Sequence, residues 1–88
     1  MSRSEIFAQI DAERVYQDGK WGAEFDNANT PNDWAAYINL YMGRATAMEN
    51  RKDLAKQREA WVKVATLAVA AVEAFDRNGS HAKRHYDV

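Results

Sequence analysis

Val62-Lys63-Val64-Ala65-Thr66-Leu67-Ala68-Val69-Ala70-Ala71-Val72-Glu73-Ala74 is apolar at every position except Lys63, Thr66 and Glu73. A strand rarely runs so long, and no proline or glycine breaks the stretch. Leu54, Trp61, Ala68 and Phe75 extend it on both sides at intervals of seven, with Val64, Ala65, Ala71 and Val72 between them. The spacing predicts one long helix over 54–77. A helix this apolar around its circumference is expected to be buried on more than one side. A bundle core accounts for most of that width, and the remainder suggests an interface between subunits.

Upstream, Arg51-Lys52-Asp53 reads as a short bridge. Before it, Thr30-Pro31-Asn32-Asp33 has the order of a helix start. Threonine suits the N-cap, proline suits the first turn, and an early acid complements the helix dipole. Trp34, Ile38, Tyr41, Met42, Ala45 and Met48 follow at helical spacing and predict a second helix ending near Asn50. Ser2 and Glu5 have the spacing of a capping box for a first helix over 3–17. Asp18-Gly19 is read as its stop, and the Gly-, Asp- and Asn-rich stretch to Thr30 as loop. Asn78-Gly79 ends the third helix, leaving 80–88 as a polar tail. The expected fold is therefore all-α: a single domain over 1–79 with a bundle of three main helices.

At 88 residues, the chain has room for one modest core, and pairing with further copies would complete it. We expect a homo-oligomer whose third helices pack together. Twelve basic and 13 acidic residues leave it near neutrality, which argues against a DNA-coating or membrane-surface protein. There is no cysteine, so neither a disulfide framework nor a thiolate metal site is open to it. No apolar run approaches the roughly 20 residues of a membrane span. The N-terminus has no signal-peptide core. Together these features predict a cytoplasmic protein.

Glu13-Arg14-Val15-Tyr16-Gln17-Asp18-Gly19-Lys20-Trp21-Gly22 gathers cations, an aromatic hydroxyl, an amide and an indole at one helix end. Arg14 and Lys20 suit phosphates, and Tyr16 or Trp21 suits stacking on a base. The plain alternative is that Trp21 plugs the bundle and the charges are solvated. His81 and His85 would share one helical face as a metal pair, but they follow a helix stop and lack a third ligand. Asn29 and Thr30 are ordinary cap residues that would also serve as rim contacts. There is no glycine-rich phosphate loop, and nothing suggests a Ser-His-Asp or Cys-His arrangement.

The pattern Glu13-Arg-x-x-Gln17-x-x-Lys20-Trp21-Gly22 resembles a segment of many small MazG-like nucleotide pyrophosphatases, some of them phage-encoded. The likeness continues from Ala36-Tyr37-Ile38 to Ala45 and from Arg58 to Arg77. In that family, helix two carries E-E-x-x-E and helix three carries E-x-x-D. These acids hold magnesium, which activates water against a nucleoside triphosphate. In this chain Leu40, Tyr41 and Arg44 fall at the first set of acid positions, and Ala60 and Lys63 at the second. A shift of one residue would bring in Glu59, but one carboxylate does not hold magnesium alone. Glu73 and Asp76 have E-x-x-D spacing, yet they lie several turns downstream.

The resemblance thus implies the scaffold without its catalytic acids, and with Arg44 and Lys63 reversing the charge. A cation in place of magnesium contacts ligand phosphates directly but supplies no activated water. The expected function is non-catalytic capture of a small phosphorylated nucleotide, with no cofactor and no metal. Its contacts would be Arg14, Tyr16, Gln17, Lys20, Trp21, Arg44 and Lys63. One version is a phage sponge, in a host's cytoplasm, for a cyclic or modified nucleotide used as an immune signal. Two rivals stand beside it. One is a magnesium pyrophosphatase drawing its acids from Glu49, Asp53, Glu59, Glu73 or Asp76. The other is a ligand-free interaction module with Trp21, Trp34 and Trp61 as its core.

Overall fold

A computed structural model describes residues 1–83, apart from the side chain of Asn50. Three helices follow one another: α1 (Arg3–Ala28), α2 (Pro31–Asn50) and α3 (Leu54–Asn78). They form an all-α bundle measuring 45 × 27 × 21 Å. No strand occurs among the described residues. None of these helices is long and apolar enough to cross a membrane.

The helix starts follow the local chemistry of the sequence. The Ser2 hydroxyl accepts from the Glu5 amide at 3.2 Å, and Glu5 accepts from the Ser2 amide at 3.2 Å. Thr30 and Asp33 form the same reciprocal pair at 3.2 and 2.9 Å, with Pro31 in the first turn. Asp53 caps α3 by accepting from the Lys56 amide at 3.1 Å. Gly79, at φ 75°, closes that helix in the left-handed conformation, which glycine adopts without a Cβ penalty.

The expected end of the first helix at Asp18-Gly19 is not observed. The helix runs through Gly19, since an isolated glycine costs a helix only about 1 kcal/mol. The break comes at Gly22, where φ is 82° and ψ is 164°. The stretch read as loop then supplies a second helical arm. Long-range bonds fix it in place: Arg77 donates to the Asn27 side-chain oxygen at 2.9 and 3.2 Å, and Asn78 donates to the same atom at 3.0 Å. A Cβ at Gly22 would meet nothing within 4 Å, so the constraint lies in the backbone alone. Gly22→Ala should lower stability by about 1–3 kcal/mol, the usual strain of a side chain in that region. Thermal unfolding of the variant checks this, and an unchanged midpoint would refute it.

α3 is the spine of the molecule. α1 and α2 each pack against it, and their backbones do not meet each other. Trp34 sits in the core on Ala70 and Ala74, with Tyr37, Leu67 and Ala71 around it. Of the three tryptophans only Trp34 is core; Trp21 and Trp61 are 53% and 49% exposed. The seven-residue series also points the other way from the core reading. Leu54, Trp61, Ala68 and Phe75 all lie on the exposed side of α3, and Ala60, Thr66, Ala70 and Ala74 are buried in their place. Small residues form the inner face because two helices approach α3 closely there.

Just past Gly79 the chain turns back. His81 Nε2 lies 2.8 Å from the Ala71 carbonyl, and its ring packs 5.4 Å from Phe75 and 6.3 Å from Trp34. His81 is thus held by a backbone carbonyl and two aromatic rings. The histidine proposed as its metal partner, His85, lies outside the described residues. Among the described residues, no three His, Cys, Asp or Glu side chains gather as a metal-ligand set.

Candidate functional site

Arg44 on α2 and Lys63 on α3, 19 positions apart in sequence, line one open cleft of about 300 Å³. Tyr41, Lys56, Glu59 and Ala60 form the rest of its wall with Met48. Packing of α2 against α3 brings them together, because Lys56, Ala60 and Lys63 fall on one helical face. The Arg44 guanidinium lies 4.9 Å above the Tyr41 ring, an attractive arrangement that holds the cation over an aromatic face. Neither Arg44 nor Lys56 is ion-paired with another described residue. Lys56 was not singled out from the sequence, although its position seven residues before Lys63 places both on the same face.

Lys63 is half-buried and donates to the Glu13 carboxylate of α1. Burial works against its ammonium, but Glu13, with help from Tyr41 and Glu59, outweighs that and raises its pKa. The ammonium is therefore charged throughout the physiological range. Glu13 belongs to the segment of α1 singled out in the sequence, and it faces Lys63 of α3. Tyr16 lies beside this pair in a second hollow of about 550 Å³ between α1 and α3, shared with Lys63.

Tyr41 also lines a third hollow, of about 210 Å³, together with Gln17, Trp21, Phe25, Trp34 and Tyr37. Trp21 stacks on Phe25 at 5.2 Å between ring centroids, and the Lys20 ammonium lies 5.0 Å from the Trp21 ring. Asn29 and Asp26 close the far side. Asn29 Nδ2 and Trp34 Nε1 are buried without an acceptor. Buried donors left without a partner are uncommon and unfavourable in folded proteins. Thr30 is the buried cap of α2, as its place before Pro31 predicts, and does not line this hollow.

Arg14 does not join the other cations. It is 7% exposed, and its Nε and terminal nitrogen bond Glu73 at 2.7 Å and Asp26 at 2.9 Å. Asp18 adds a longer contact at 3.6 Å. The guanidinium ties the second arm of α1 to its first arm and to α3. Burial pushes the Asp26 carboxyl above its usual pKa, while Arg14 and Arg77 oppose the shift. The position is structural because carboxylates on three sides already satisfy its charge.

Of the residues proposed from the sequence, the structure brings Arg44 together with Lys63, Tyr16 with Lys63, and Gln17, Lys20 and Trp21 with one another. Tyr41 connects the cationic cleft to the aromatic hollow. Compared with protein-family models, curated proteins and solved structures, the chain matches none.

Proposed function

We propose that this chain captures a small phosphorylated nucleotide without cleaving it. The observation that carries the reading is the shared wall at Tyr41. On one side lie Arg44, Lys56 and Lys63, and on the other an aromatic hollow lined by Trp21, Phe25, Trp34 and Tyr37. A phosphate and a base held one sugar apart need this pairing of cations and aromatic faces. Trp21 and Phe25, both exposed at the hollow, would stack on the base.

The charge of the cleft favours ligands with little charge per phosphate. Glu13 takes up much of the Lys63 charge, and Glu59 stands in the same wall. That leaves about one net positive charge in the cleft, which suits a phosphodiester better than a bare triphosphate. A sponge for a cyclic or modified nucleotide immune signal is one form of this reading.

A capture-and-release assay tests it. The protein is incubated with magnesium and linear, cyclic and ADP-ribose-type nucleotides, and the filtrate is analysed before and after heat denaturation. We expect one compound to disappear from the filtrate and return intact on heating. Conversion of a triphosphate to its monophosphate would show a pyrophosphatase instead. If nothing in the panel is depleted, the nucleotide reading fails.

A further inference from the structure

The outer face of α3 is apolar for most of its length and largely open among the described residues, with His81 packed against Phe75 at its end. Trp61, Val72 and Phe75 are 49%, 59% and 47% exposed, and Ala65 and Ala68 lie between them at alternating steps of three and four. Phe7 and Val15 of α1 widen the face beside Val69. Phe7, Trp61 and Phe75 each leave uncovered about half of the ~200 Å² that an aromatic side chain can bury. Together they contribute roughly 300 Å² per copy, before any aliphatic residue is added. Adding the three valines brings the patch to the upper part of the range that soluble monomers leave open, and towards the ~800 Å² per partner of a standard interface.

We infer that this face is the contact surface for a second copy of the chain, with the two α3 helices antiparallel and crossing at Ala65 and Ala68. A 3–4 spacing of apolar residues is the pattern of a helix seam, and antiparallel partners alternate across it. When Ala65 faces Ala68 of the second copy, the small side chains meet at the two-fold axis and the backbones approach closely. The same register sets Trp61 against Val72, so a large side chain fills the space beside a smaller one. One step further out, Arg58 faces Phe75 of the other copy and lies beside its Asp76. The only charge within the seam thereby gains an aromatic face and a carboxylate. A parallel pair would instead stack Trp61 on Trp61 and Arg58 on Arg58, crowding the first and repelling the second. The contact is isologous and closes on itself.

This surface lies on the opposite side of α3 from the cationic cleft, so its test is independent of any nucleotide. Light scattering should give the wild-type chain a mass at least twice 10.0 kDa. Trp61→Glu and Ala68→Glu, both at exposed positions, should each reduce it to one chain while circular dichroism keeps its helical signal. The natural chain has no cysteine, so orientation can be read by cross-linking. Arg58→Cys and Phe75→Cys should link when mixed under mild oxidation, and neither should link to itself. In the antiparallel register, like positions are 17 residues apart along the axis, about 25 Å at 1.5 Å per residue. A wild-type mass of a single chain would overturn the inference. So would self-linking of either single variant, which signals a parallel pair, or an unchanged mass in both glutamate variants.

Discussion

Replacing Arg14 by alanine should lower stability by about 3 kcal/mol at pH 7, the usual consequence of removing one partner from a buried ion pair. For a chain of this size that corresponds to a fall in Tm on the order of 15 °C. The loss should be largest near neutrality and shrink as the solution is acidified. Asp26 is buried, and its pKa is raised in the fold even with Arg14 in place. A carboxyl with a raised folded pKa contributes stability that is present below its unfolded pKa, near 3.9. That contribution disappears as the pH rises through the folded value. Without Arg14 the folded value moves higher still, so the variant should recover part of its stability as the pH falls from neutrality towards the unfolded value. Thermal melts of wild type and variant across that range measure the effect. A destabilisation that is small, or that does not vary with pH, would mean that Arg14 is not the counter-ion of Asp26 and is available to a ligand after all.

The second large effect concerns binding. Arg44→Ala and Lys63→Ala should each weaken capture of the nucleotide by 10- to 100-fold, corresponding to about 1.5–3 kcal/mol for a hydrogen bond to a charged group. The two positions differ in what else they affect. Arg44 is exposed and lies over Tyr41, so its loss should leave stability within about 0.5 kcal/mol of wild type. Lys63 is paired with a half-buried Glu13, so its loss should reduce stability as well, and Glu13→Gln in the same chain should restore part of it. Titration calorimetry with the captured compound, alongside melts, separates the two effects. Full affinity in both alanine variants would remove the cationic cleft from the binding site.

How much of this was legible beforehand depends on the range of the interactions involved. The caps at Ser2 and Thr30, and the helices they open, are set within three or four residues, and sequence spacing identifies them; Asp53, read only as part of a bridge, caps α3 by the same local chemistry. The end of α1 was misplaced because Gly19 and Gly22 look alike locally. What carries the helix through the first and breaks it at the second is the anchoring of Asp26 and Asn27 by Arg14, Arg77 and Asn78, 12 to 51 residues away. The inner face of α3 was not legible either, since a helix apolar on most sides has no stripe to indicate its direction. Arg44 and Lys63 were found through a resemblance between motifs, and the fold does place them in one cleft. Their neighbour Lys56, the Glu13 partner of Lys63 and the counter-ions of Arg14 depend on which helices meet, and no local spacing records that.

The central position of α3 also affects how the protein is made. The backbones of α1 and α2 touch α3 but not each other, so a ribosome that has released residues 1–50 has produced two segments that meet only through side chains around the aromatic hollow. Isolated helices of this length are marginal in water, and Trp34 has no alanine ledge to occupy until residues 70–74 emerge. The core around Trp34 therefore waits until residues 70–74 are available. A truncation before Ala70 should leave a largely unstructured, protease-sensitive chain in place of a smaller folded one.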